Sequence, residues 1–155
     1  MKILSLNYRG LGIPEAVQEL RCLANKEGPK ILFLSETRLN IDGFHRLKRK
    51  LEVMDGFAVP RISLGGGLAL LWQDGVGVDI QTSSSHHIDA LIKQEGVVWR
   101  LIGFYGHPET SRRGESWDLL RQLHASFSLP SLLLGDFNEI LLLDEYWGSG
   151  SRPYN

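Results

Sequence analysis

The sequence predicts an α/β domain in which mixed sheets pack together with helices on the outside. Three observations carry that expectation. Apolar strand-like runs alternate with amphipathic helical segments toward both ends of the chain, a block of short extended segments with tight glycine breaks fills the middle, and several strand-like runs end in polar residues. The strand, helix, strand opening favours a right-handed parallel pair, whereas the glycine-broken middle favours antiparallel hairpins, so a purely parallel doubly wound sheet is disfavoured. With 155 residues of which 43% are hydrophobic, the chain is expected to form one domain over residues 1–155 around one core.

The elements follow in order. Lys2 to Leu6 reads as a strand, and after a glycine-containing loop Pro14 opens a helix whose Val17, Leu20, Leu23 and Ala24 share one face as far as Gly28-Pro29. Ile31 to Ser35 is a continuous apolar run suited to a parallel neighbour of the first strand. A second helix is expected from Asp42 to Met54, with Phe44, Leu47 and Leu51 inward and Arg46, Lys48, Arg49 and Lys50 outward. Phe57 to Pro60, Leu68 to Trp72, Val76 to Thr82, Ile88 to Gln94 and Val97 to Tyr105 read as strands broken by Gly65-Gly66-Gly67, Asp74-Gly75 and Glu95-Gly96. A last helix, Arg113 to Phe127 with Trp117, Leu120, Leu123 and Phe127 inward, leads into a strand from Ser131 to Leu134.

A net charge of -1 and a pI near 6.5 exclude a strongly basic nucleic-acid coat, so any DNA contact is expected to be weak and local. Cys22 is the single cysteine, without a disulfide partner or a second thiol for zinc, which fits a reducing intracellular compartment, nuclear or cytoplasmic. The amino-terminal apolar run is too short for a signal-peptide core, and no segment reaches membrane-spanning length.

Chemistry is concentrated at the strand ends. Leu132-Leu-Leu-Gly-Asp-Phe-Asn-Glu139 delivers Asp136 and Asn138 to one face, and Asn7, Glu36 and Tyr105 end three other apolar strands. In a common sheet system these five side chains converge beyond the strand ends, where α/β sheets bind ligands. Any one of them alone is an ordinary turn former or cap; several together suit metal or phosphate.

In this order, Asn7-Tyr-Arg-Gly-Leu-Gly12, Leu34-Ser-Glu-Thr37, Gly65-Gly-Gly-Leu-Ala-Leu-Leu-Trp72, Gly103-Phe-Tyr-Gly-His-Pro108 and Gly135-Asp-Phe-Asn-Glu139 make the sequence resemble the endonuclease/exonuclease/phosphatase superfamily. It is most similar there to the apurinic-type endonuclease domain of plant LINE (non-LTR) retrotransposon polyproteins. Tyr8 departs from the cysteine usual in the plant elements. The resemblance implies a four-layer α/β sandwich, two mixed sheets flanked by helices, here partial because the family's C-terminal strands are lacking. It also implies divalent-metal-dependent hydrolysis of DNA phosphodiesters, with Mg2+ as cofactor and Mn2+ as an alternative.

Glu36 is then the metal ligand with Asn7 beside it, Asp136 orients or deprotonates the attacking water, Asn138 holds phosphate or Asp136, and Tyr105 contacts the scissile phosphate. Family members carry a further Asp or Asn and a Ser-Asp-His motif beyond this point, which nothing here matches. Very weak or absent catalysis is therefore expected, the alternative being a noncatalytic relic with at most weak metal or nucleic-acid binding.

Other polar groups are read more plainly. Arg9, His107 and the Arg112-Arg113 pair are candidate phosphate contacts, although His107 before Pro108 reads as a solvated turn residue. The Arg46 to Lys50 cluster reads as a solvated helix face, as do His45 and His124, and adjacent His86 and His87 should point apart. Gly65 to Gly67 lack the Lys and Ser or Thr of a phosphate-binding loop and read as a turn.

Overall fold

A computed structural model of the chain describes residues 1–52, 54–62, 64–126 and 128–139. In chain order the elements are β1 (Ile3–Asn7), α1 (Pro14–Glu27), β2 (Ile31–Ser35), α2 (Ile41–Lys50), β3 (Met54–Val59), β4 (Leu68–Gln73), β5 (Gly77–Ser84), β6 (His87–Gln94), β7 (Val97–Tyr105), α3 (Arg113–Ala125) and β8 (Ser131–Asp136). They form two four-stranded sheets, β1-β2-β4-β3 and β5-β6-β7-β8. Each sheet is mixed: β1 runs parallel to β2 and β7 parallel to β8, while the other neighbours are antiparallel.

The alternation along the strands decides the layers. Ile31, Phe33, Leu68 and Leu70 of the first sheet meet Ile88, Ala90, Ile92 and Leu101 of the second, filling the space between the sheets. The opposite face of the first sheet, Leu32, Leu34 and Leu71, packs under Leu20 of α1 and Phe44 and Leu47 of α2. β2 is buried at every position because both of its faces are covered.

On the far side of the second sheet, Arg100 is buried and gives Asp89 two hydrogen bonds of 2.7 and 2.8 Å, and it also donates to the Leu123 carbonyl at the end of α3. A buried ion pair of this kind fixes how α3 sits on the sheet more than it adds net stability. The result is the expected helix, sheet, sheet, helix sandwich.

Several boundaries differ from the sequence expectation. The second helix begins at Ile41, where Asn40 accepts a hydrogen bond of 2.8 Å from the Gly43 amide, and it ends at Lys50. Met54, expected to end that helix, is already in β3, opposite Gln73 of β4, and the pairing continues unbroken through Gly56 to Val59. β8 runs on to Asp136 because Tyr105 pairs opposite it.

Trp117, expected inward, is 40% exposed: α3 instead docks through the line of Ser116 and Leu123. Phe127, also expected inward, lies outside the described residues. At the outer edge of the second sheet Leu132 and Leu133 of β8 are exposed.

Candidate active site

Parallel register sets the site. Asn7 lies opposite Ser35, the residue before Glu36, and Tyr105 lies opposite Asp136, so the carboxyl ends of both parallel pairs present polar groups. The sheets meet there. Asn7 Nδ2 donates to Asp136 Oδ2 at 2.6 Å and to Glu36 Oε1 at 3.3 Å, joining the two sheets through one side chain. Tyr105 donates its hydroxyl to Glu36 Oε1 at 2.7 Å. Asp136 Oδ1 accepts the Asn138 amide at 2.9 Å, and Asn138 Nδ2 donates to the Gly106 carbonyl at 2.7 Å. All five strand-end residues singled out in the sequence are thus brought together.

Two of them hold unusual backbones. Glu36 and Asn138 have φ of 51° and 52°, a left-handed conformation that asparagine tolerates and glutamate rarely adopts. Such residues persist where surrounding contacts over-determine them, and they concentrate at functional sites. Gly106 is required by close approach, since a Cβ there would lie 2.1 Å from the Phe137 carbonyl oxygen. That contact seats the loop after β8 against the end of β7, where the Asn138 amide reaches Gly106.

Burial, followed by the hydrogen bond to Glu36 and its charge, pushes the Tyr105 hydroxyl above the ordinary tyrosine range. Tyr105 is therefore a neutral donor at physiological pH, with its proton directed at Glu36. Among the described residues no three His, Cys, Asp or Glu side chains form a metal cage. A magnesium site does not need one, because that ion keeps several waters and takes one or two carboxylates plus substrate phosphate. The donor set fits a site of one carboxylate with amide support: Glu36 Oε1 is held by Tyr105 and Asn7, and Oε2 is ion-paired with Arg38 Nη2 at 4.0 Å. Asn7 turns its oxygen to the Arg9 amide and its nitrogen to the carboxylates, so in this arrangement it orients Glu36 and Asp136.

The expected phosphate contacts are placed differently from one another. Arg9 is exposed beside Asn7, Arg112 is engaged by Glu115 through two hydrogen bonds of 2.9 Å, and Arg113 pairs with Glu139 at 3.0 Å. The reading of His107 as a solvated turn residue is corrected: it is buried, its amide donates to Ser116 Oγ at 2.8 Å, and its ring centroid lies 3.8 Å from that of His86. Burial, then neighbouring His86 and Arg112, lower its pKa. His86 in turn lies 2.8 Å from the Tyr105 carbonyl oxygen through Nδ1, whereas His87 turns to Thr82 and Ser84. Arg38 is not singled out by the sequence, and His86 is read there only as pointing apart from His87. Arg38 had a signal in its place two residues after Glu36; His86 had none, since it comes from a turn distant in the chain.

A family model described as Endonuclease/Exonuclease/phosphatase family matches residues 4–155. Humanized D. rerio TDP2 has a similar structure, with a TM-score of 0.69 at 16% identity over 90% of this chain and 66% of that one. The endonuclease domain of TRAS1, a telomere-specific non-LTR retrotransposon, gives 0.67 at 15% identity over 90% and 61%. The 3' phosphatase NExo from Neisseria, bound to a product DNA hairpin, gives 0.63 at 19% identity over 89% and 58%. The chain therefore spans less than two thirds of each of these structures, and likeness at such identity establishes the fold. No protein of curated function matches the sequence. Among the described residues no helix is long and apolar enough to cross a membrane.

Proposed function

Because this chain belongs to the endonuclease/exonuclease/phosphatase family, we propose that its strand-end cluster is the cation- and phosphate-binding part of a DNA phosphodiesterase of retrotransposon type. The observation that carries this reading is the hydrogen-bonded group of Asn7, Glu36, Tyr105 and Asp136, drawn from both sheets. Glu36 would hold the divalent ion, Mg2+ or Mn2+, through Oε2. Such an ion, when bound, offsets charge on the phosphodiester and stabilises the charge that develops during in-line attack.

The chain's own residues do the rest. Asp136, with one oxygen fixed by Asn7 and the other by the Asn138 amide, is oriented to align a water and accept its proton. Tyr105, neutral and with its single proton given to Glu36 Oε1, keeps that carboxylate in place. Arg9 and Arg38, both exposed, supply positive charge at the mouth for flanking phosphates. DNA is favoured over small phosphate esters by the retrotransposon-like motifs.

The test is nicking of supercoiled plasmid with magnesium, by the chain and by its Glu36→Ala and Asp136→Ala variants, with an EDTA control. The 155 residues contain no Ser-Asp-His run, and losing one preorganised donor slows such chemistry about 100- to 1000-fold. Slow nicking that disappears in both variants and in EDTA is the expected result. A folded chain with no nicking favours the noncatalytic reading, and nicking unchanged by both substitutions refutes the assignment of the site.

A further inference from the structure

The glycine run before β4 was read from sequence as a plain turn; its backbone does more. Glu36 and Arg38 both have positive φ, 51° and 54°, so the segment after β2 is held in a conformation that neither residue favours. Thr37 between them is buried, and its amide donates to the Gly67 carbonyl at 3.0 Å, while the Arg38 amide donates to the Gly66 carbonyl at 2.8 Å. From the other side the Leu11 amide donates to the Thr37 carbonyl at 2.8 Å. The segment is clamped between two loops, with no spare room at Gly67: a Cβ there would lie 2.6 Å from Thr37 Oγ1 and 3.3 Å from the Arg38 nitrogen.

We propose that Gly66 and Gly67 are positioning residues for the divalent-cation ligand. Their carbonyls hold Thr37 and Arg38 so that Glu36 keeps its left-handed backbone and turns its carboxylate toward Asn7 and Tyr105. This inference rests on the reading of Glu36 as the cation ligand. The three glycines differ in a way that makes the idea separable. Gly65 has open space and no positive φ, Gly66 has open space and a φ of +73°, and Gly67 combines a φ of +88° with the contact to Thr37.

Mn2+ binding is measured by electron paramagnetic resonance for the wild-type chain, Glu36→Gln, and Gly65→Ala, Gly66→Ala and Gly67→Ala, with melting curves in EDTA to establish that each is folded at the working temperature. Loss of groups that orient a metal ligand weakens affinity about 10- to 100-fold, and that is the loss expected for Gly67→Ala. Gly66→Ala should fall between it and the wild type, and Gly65→Ala should match the wild type. Should Gly67→Ala fail to fold, Gly66→Ala against Gly65→Ala decides. Wild-type affinity in the folded Gly66 and Gly67 variants, with binding still lost in Glu36→Gln, overturns the positioning role alone. A wild-type chain whose Mn2+ binding does not depend on Glu36 overturns the site reading and this inference with it.

Discussion

Replacing Asn7 with aspartate puts a third carboxylate where an amide nitrogen now sits, 2.6 Å from Asp136 Oδ2 and 3.3 Å from Glu36 Oε1. Two donated hydrogen bonds become two like-charge contacts. Unit charges about 4 Å apart repel by about 1 kcal/mol in water and about 4 kcal/mol at the effective dielectric of a protein surface. Asn7 is exposed, so about 1–2 kcal/mol per neighbour is appropriate, or about 2–4 kcal/mol in all. For a chain of this size each kcal/mol moves the melting temperature by roughly 2–4 °C, which predicts a fall of about 4–16 °C.

Scanning calorimetry in EDTA near neutral pH measures it, and adding magnesium should close much of the gap, because the cation proposed at Glu36 would neutralise the extra charge. Asn7→Ala, which loses the hydrogen bonds and gains no charge, should fall less and respond less to magnesium. An Asn7→Asp chain that melts with the wild type in EDTA would refute the placement of Asn7 between two carboxylates, and a deficit indifferent to magnesium would refute the cation proposed at Glu36.

Two further outcomes are expected. Arg100→Ala leaves Asp89 buried without its partner and should cost about 3–5 kcal/mol in urea unfolding, whereas Arg100→Met combined with Asp89→Leu should recover most of it. His87 is buried and its pKa is lowered, first by burial, from the ordinary 6.5. The unfolded chain therefore takes up the proton at higher pH than the folded one, so stability holds above that value and falls as pH drops from it through the lower folded pKa. Melting temperature followed across mildly acid pH should show this slope, and His87→Gln should reduce it.

The strand ends were legible because a carboxylate or amide that closes an apolar run carries its own signal: Asn7, Glu36, Tyr105, Asp136 and Asn138 were all named from the sequence, and all five meet. What was not legible came from contacts distant in the chain. His107 looks solvated until α3 supplies Ser116 beneath its amide and the turn before β6 brings His86 against its ring. Trp117 looks inward by periodicity, but the buried Arg100 network and Ser116 choose a different stripe of α3. The helical spacing of Phe44, Leu47 and Leu51 suggests a helix as far as Met54, whereas pairing with β4 makes Met54–Val59 one continuous strand. Gly67 reads as a turn until the segment after β2 is laid beside it.

The hydrogen bond from Asn7 to Asp136 spans 129 positions of chain. No nascent or proteolytic piece lacking either end can contain this cluster, and loop-closure entropy makes contacts of such range among the last to form. If Glu36 holds the cation as proposed, cation binding would report completed folding, since the carboxylate is oriented by Asn7 and Tyr105 only once the two sheets have closed.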